Sequence, residues 1–181
     1  DREFYYQDSI RTDTTETNPS VSLNFKWDVT PQTTVNATIL PDFAQIESDP
    51  FSLNLSRYPT YLDERRPFFL EGKEIFRMAD FGDMGFFDPL EIFYSRRIGK
   101  SVNGEAVPIL GGLKVTNKSK DWNIGILGAY TDSYLDTILY NINEPNRWFG
   151  VLRAKRSVLE NSDIGMLFSG MAVDDDEYNY A

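Results

Sequence analysis

Between positions 21 and 29 the chain alternates strictly, with Val21, Leu23, Phe25, Trp27 and Val29 separated by Ser22, Asn24, Lys26 and Asp28. Side chains two apart on a strand share a face, so this spacing predicts a strand with one apolar and one polar side. After Thr30-Pro31-Gln32 the alternation resumes, setting Val35, Ala37 and Ile39 against Thr34, Asn36 and Thr38. Two such runs around a short break read as a hairpin. Both lengths suit a membrane-crossing strand of about 9 to 11 residues.

The pattern returns twice downstream. Val107, Ile109, Leu113 and Val115 lead through the polar turn 117–121 into Trp122, Ile124 and Ile126. Trp148, Leu152 and Ala154, with Arg153, Lys155 and Arg156 as polar positions, then turn at Glu160-Asn161-Ser162-Asp163 into Ile164, Met166 and Phe168. Three hairpins predict an antiparallel, all-β architecture. The stretch 131–146, with Asp132, Asp136, Asn141, Asn143 and Glu144, reads as a longer polar connection. Short turns at one end and long loops at the other are the habit of outer-membrane barrels.

A chain of 181 residues is long enough for one domain with a sizeable core, or for part of something larger. It contains no Cys and no His, which excludes disulfides, Cys nucleophiles, His-based triads and Cys/His zinc sites within it. The net charge of -10 and the absence of basic runs longer than a pair argue against a nucleic-acid partner. No stretch of about 18 apolar residues is present, so no transmembrane helix is expected, a test to which barrel strands are blind. The polar opening Asp1-Arg2-Glu3 is not a secretion leader, so any such signal is expected to be removed or to lie upstream.

The segment 41–106 breaks the pattern. It carries Pro41, Pro50, Pro59, Pro67 and Pro89, and mixes charge with clusters such as Pro67-Phe68-Phe69-Leu70. An irregular insert is predicted there, with short strands near 51–56 and 91–98. Stretches of that length and kind tend to be functional loops, lids or inserts. Within it, Asp42, Glu47, Asp49, Asp63, Glu64, Glu71 and Glu74 crowd among Arg57, Arg65, Arg66 and Arg77, with Arg96 and Arg97 further on. A carboxylate pair of the right separation hydrolyses glycosides, but confined charges of both signs more often pair with one another. The expectation is therefore structural: Arg65, Arg66, Arg96 and Arg97 pair with Glu47, Asp49 and Glu71 and fasten the insert to the barrel interior.

Other motifs carry less. Asp80-Phe81-Gly82 copies the metal-binding triplet of protein kinases without any accompanying phosphate loop. Asp80, Asp83 and Asp88 do not have calcium-loop spacing, and read as a polar turn. Asn36-Ala37-Thr38, Asn54-Leu55-Ser56 and Asn117-Lys118-Ser119 match a glycosylation acceptor that has no role in a bacterial barrel. Asp174-Asp175-Asp176-Glu177 reads as a solvated loop. No cofactor or metal site is expected.

The runs Leu40-Pro41-Asp42-Phe43-Ala44-Gln45-Ile46-Glu47-Ser48-Asp49-Pro50, Arg65-Arg66-Pro67-Phe68-Phe69-Leu70-Glu71-Gly72 and Tyr94-Ser95-Arg96-Arg97-Ile98-Gly99 are distinctive in content and order. Across roughly residues 20–173, including Gly111-Gly112-Leu113-Lys114, the chain resembles an uncharacterised outer-membrane family. Its members typically carry a family 9 carbohydrate-binding-like domain first and a large β-barrel region afterwards, and some bear the label membrane-associated hydrolase. Tyr61-Leu62-Asp63-Glu64 departs from the more aromatic lead usual before the Arg-Arg-Pro segment. The resemblance implies a bacterial outer-membrane location and supplies no catalytic residues.

Together these readings predict a polar lead-in over 1–19 and a partial β-barrel domain over 20–181, with 41–106 as a lumen or mouth insert. The expected fold is an antiparallel meander of about six to eight strands. Its expected partners are outer-membrane lipid, the remaining barrel strands and a carbohydrate-binding-like domain outside the chain, with a glycan or peptide as candidate ligand. The expected role is transport or surface binding. A carboxylate-dependent hydrolase and a soluble β-sandwich binding module are the alternatives.

Overall fold

The computed structural model describes residues 21–43, 63–77, 92–100, 106–136, 142–159, 162–173 and 178–180. The period-two runs fold as the antiparallel strands β1 (Leu23–Thr30), β2 (Thr33–Ile39), β3 (Ile109–Lys118), β4 (Trp122–Thr131), β7 (Arg147–Leu159) and β8 (Ser162–Val173), and the short strands β5 (Tyr134–Asp136), β6 (Ile142–Glu144) and β9 (Tyr178–Tyr180) are added to them. Seven of them form one sheet in the order β1-β2-β3-β4-β7-β8-β9. All three expected hairpins are present, as β1–β2, β3–β4 and β7–β8. The polar connection between β4 and β7 carries a small ladder of its own, β5 against β6.

Register assigns the faces. Trp27, Val35, Val115, Ile126, Leu152 and Phe168 stand side by side from β1 to β8, because each is the cross-strand partner of the next. One residue along each strand, Lys26, Asn36, Lys114, Leu127, Val151 and Ser169 form the matching row on the opposite face. Leu23, Phe25 and Trp27 therefore share one side of β1, and Asn24 and Lys26 the other.

Among the described residues the insert contributes a short helix α1 (Pro67–Leu70) and two 3-10 turns, Lys73–Phe76 and Ser95–Arg97. Pro67 opens the helix, where its missing N–H costs nothing. The insert lies on the Lys114 face, where Phe68, Phe69, Phe76 and Ile98 pack with Ile109, Leu127, Ala129 and Val151 into the buried apolar cluster. Each buried phenylalanine contributes on the order of 2 kcal/mol to this seating.

Two expectations need correction. The stretch 92–98 holds no strand: the amides of Arg97 and Ile98 bond the carbonyls of Tyr94 and Ser95, so local hydrogen bonds close a turn that a ladder would have needed open. The first hairpin is also shorter than a nine-residue crossing, with 8 residues in β1 and 7 in β2. At its end Leu40 takes a positive φ of 47° and the chain leaves through Pro41. The other proposed strand, 51–56, lies outside the described residues.

Gly112 and Gly125 are where the insert meets bare backbone. A Cβ on Gly112 would stand 2.9 Å from the Phe68 ring, and one on Gly125 2.9 Å from both Ile75 and the Phe76 ring. Gly125→Val is thus expected to lift the first 3-10 turn and speed tryptic cleavage at Lys73 and Arg77, at a cost of about 1–3 kcal/mol. Gly150→Ala, whose Cβ would meet nothing within 4 Å, should leave the digestion pattern unchanged.

Candidate functional site

The site is the interface between insert and sheet, and its chemistry starts from charges placed on strands. Lys114 of β3 and Arg153 of β7 are only 1% and 4% exposed, yet both point into the insert side of the sheet. Burying a cation is costly unless its donors are satisfied. The Lys114 ammonium donates to the carbonyls of Phe68 and Glu71 and sits 5.0 Å above the Phe68 ring. The Arg153 guanidinium donates to the Arg77 carbonyl at 3.2 Å and to the Ala154 and Met166 carbonyls at 3.0 Å. The wall thus holds the insert by its backbone, at both ends of the 68–77 stretch.

A second set of contacts is internal to the insert. Arg66, 2% exposed, donates from Nε at 2.9 Å and from Nη2 at 2.8 Å to the two oxygens of Glu64. It also reaches the carbonyls of Ile98 at 2.7 Å and Ser95 at 2.8 Å, and stacks 4.3 Å over the Phe69 ring. One side chain therefore clasps 63–77 to 92–100. Arg96, also buried, donates to the Asp63 carbonyl at 2.9 Å from the opposite segment.

The expected anchors fall as follows. Arg66 takes Glu64, a carboxylate two residues away. Glu71 faces the wall, accepting from Lys26 of β1 and, at 2.9 Å, from the Asn36 amide of β2. Arg65 and Arg97 are exposed. Glu47 and Asp49 lie outside the described residues, as do Asp80-Phe81-Gly82 and the carboxylates Asp83 and Asp88. Glu64, Lys26, Lys114 and Arg153 were not among the expected anchors. Lys114 had a signal, as a charge in the otherwise uncharged centre of its strand, whereas Arg153 stands in a run with Lys155 and Arg156 that does not single it out.

Burial opposes ionisation of Glu64, but hydrogen bonds and charge from Arg66, with the Ser95 hydroxyl and the Arg66 amide, outweigh it and hold the carboxyl below its ordinary range. Glu71 is also lowered, chiefly by its hydrogen bond from Lys26. A depressed carboxylate stabilises fully above its unfolded value of about 4.3 and loses that contribution as pH falls through the folded value. Insert protection against an acid-active protease is therefore expected to hold at pH 7 and fall below about pH 4, less steeply in Glu64→Gln. Both carboxyls are held ionised, the reverse of what a glycosidase general acid needs. Among the described residues no group of three acidic side chains is placed to hold a metal.

The opposite face is apolar and open. Trp27, Ile126 and Phe168 are 57%, 48% and 49% exposed, and Leu23, Phe25, Leu113 and Met166 are exposed with them. Aromatic rings mark its ends: Tyr130 and Trp148 lie 4.3 Å apart at one, and Trp122 sits beneath Arg156 at 5.2 Å at the other. Polarity is thus reversed, with charge under cover and hydrocarbon in the open.

Fold and site together define an all-β antiparallel meander that carries a clasped insert on its polar face. The chain belongs to the family described as Domain of unknown function (DUF5916), which matches residues 3–151. No curated protein and no solved structure matches it.

Proposed function

We propose that the chain is a wall segment of a bacterial outer-membrane β-barrel, with its insert on the lumen side and a transport or surface-binding role at the cell envelope. The reversed polarity of the sheet carries this reading. In water an apolar face of this extent is hidden, whereas a barrel turns it to lipid and keeps its charges within. The strands β3, β4, β7 and β8, of 10, 10, 13 and 12 residues, have the length a tilted crossing needs. Aromatic rings at both ends of the apolar band match the girdles of such barrels.

On this reading outer-membrane lipid is the partner of the Trp27–Phe168 row, and further barrel strands pair beyond β1 and β9. A carbohydrate-binding-like domain preceding the barrel would deliver a glycan or peptide ligand to it. A β-sandwich is disfavoured by the uncovered apolar face. The full-length protein should stay with the outer-membrane fraction through an alkaline carbonate wash. Release into the wash would contradict the proposal.

A further inference from the structure

A cavity of about 260 Å³ lies between the 92–98 segment of the insert and the inner side of β7 and β8. Phe93 and Ile98 line it from the insert, and Phe149, Val151 and Met171 from the wall. Arg97 and Ser169 are among the residues that line it. Neither side chain has a hydrogen-bond or ion-pair partner among the described residues. Its neighbour Arg96 is buried and bonded to the Asp63 carbonyl, so the two arginines divide their labour: one holds the insert together, the other stands open beside an apolar hollow.

Ligand pockets are mostly apolar, with a few convergent polar groups that fix orientation, and this volume lies just below their usual range of about 300–1,000 Å³, which suits a small ligand. A guanidinium offers parallel donors that match a carboxylate, and a neighbouring hydroxyl adds one more. Aromatic walls suit a ring or a short hydrocarbon body. We propose that this cavity binds a small amphipathic carboxylate, its apolar body against Phe93, Phe149 and Met171 and its anionic head on Arg97 and Ser169. The site lies on the covered face, away from the apolar band, and stands whether or not that band meets lipid.

The probe pair is 3-(4-fluorophenyl)propionate and its neutral amide, titrated against the full-length protein and followed by fluorine NMR. The acid is expected to bind at least tenfold more tightly than the amide. Arg97→Gln should erase that preference while leaving the weak binding of the amide in place, and Arg97→Lys should restore part of it. Met171→Trp, which fills the hollow from the wall, should abolish binding of both. Tryptic digestion of each variant reports whether the insert remains seated. Equal affinity for acid and amide, no binding of either, or an Arg97→Gln protein that keeps its preference for the acid would overturn the proposal.

Discussion

Arg66→Ala is expected to release the insert, raising its protease sensitivity by orders of magnitude and, in a reconstituted barrel, its conductance. The basis is the burial of both partners: the Arg66 and Glu64 side chains are 2% and 8% exposed and meet at 2.8 Å. Such a bidentate pair is only weakly stabilising relative to an apolar replacement, but truncating one member strands the other charge at a cost of about 3–5 kcal/mol. The Ser95 and Ile98 carbonyls lose their donors in the same step, so 63–77 and 92–100 separate together. Arg66→Lys should recover part of the loss, because it keeps the charge but not the fork that serves four acceptors. Removing Glu71, by contrast, should change protease sensitivity far less, since its pair with Lys26 is half exposed at 53% and 45% and screened by solvent. If Glu71→Gln abolished a hydrolytic activity while the insert stayed seated, the enzymatic reading would displace the structural one.

The second large effect is expected on the other face. Ile126 lies at the middle of the apolar row, between Val115 and Leu152 and 48% exposed. Facing lipid, Ile126→Arg should destabilise the reconstituted protein by about 2–4 kcal/mol, measured by urea titration in vesicles. Facing water, the same change would be a surface substitution worth no more than about 0.5 kcal/mol. Asp121→Arg, in the β3–β4 turn beyond the aromatic ring of Trp122, is the control and should be neutral in either environment. The size of the Ile126 effect relative to that control separates the two surroundings.

How far sequence determines these features differs by element. In β1 and β2 the alternation is strict and the faces follow from the period alone, whereas Phe149 and Val151 of β7 and Leu167 of β8 put apolar side chains on the polar parity as well. In β3 the period misleads. Val107 and Ile109 have the same parity as Leu113 and Val115, yet the first two are buried under the insert and Leu113 is 53% exposed. A bulge between Ile109 and Gly111 inserts one residue and exchanges the faces. Nothing in a two-residue repeat announces such an insertion.

The site was legible in kind and not in its pairs. Opposite charges in a proline-rich stretch announce ion pairing, and Arg66 is found in one. Its partner is set by how the chain enters α1: the Arg66 amide and guanidinium both converge on the same Glu64 oxygen. Glu71 meets Lys26 only because Gly72 turns the chain beside β3, and no local spacing encodes a contact 45 residues apart. Lys114 and Arg153 act on carbonyls, which have no signature in sequence at all.

Nitroxide labels at positions 23 and 24 of the bilayer-embedded, full-length protein test the lipid assignment most directly. Leu23 and Asn24 are adjacent in β1 and point to opposite sides of the sheet. Lipid contact predicts that the label at 23 collides with oxygen dissolved in the bilayer and the label at 24 with a water-soluble nickel chelate. The reverse pattern, or equal access of the chelate to both positions, would contradict it.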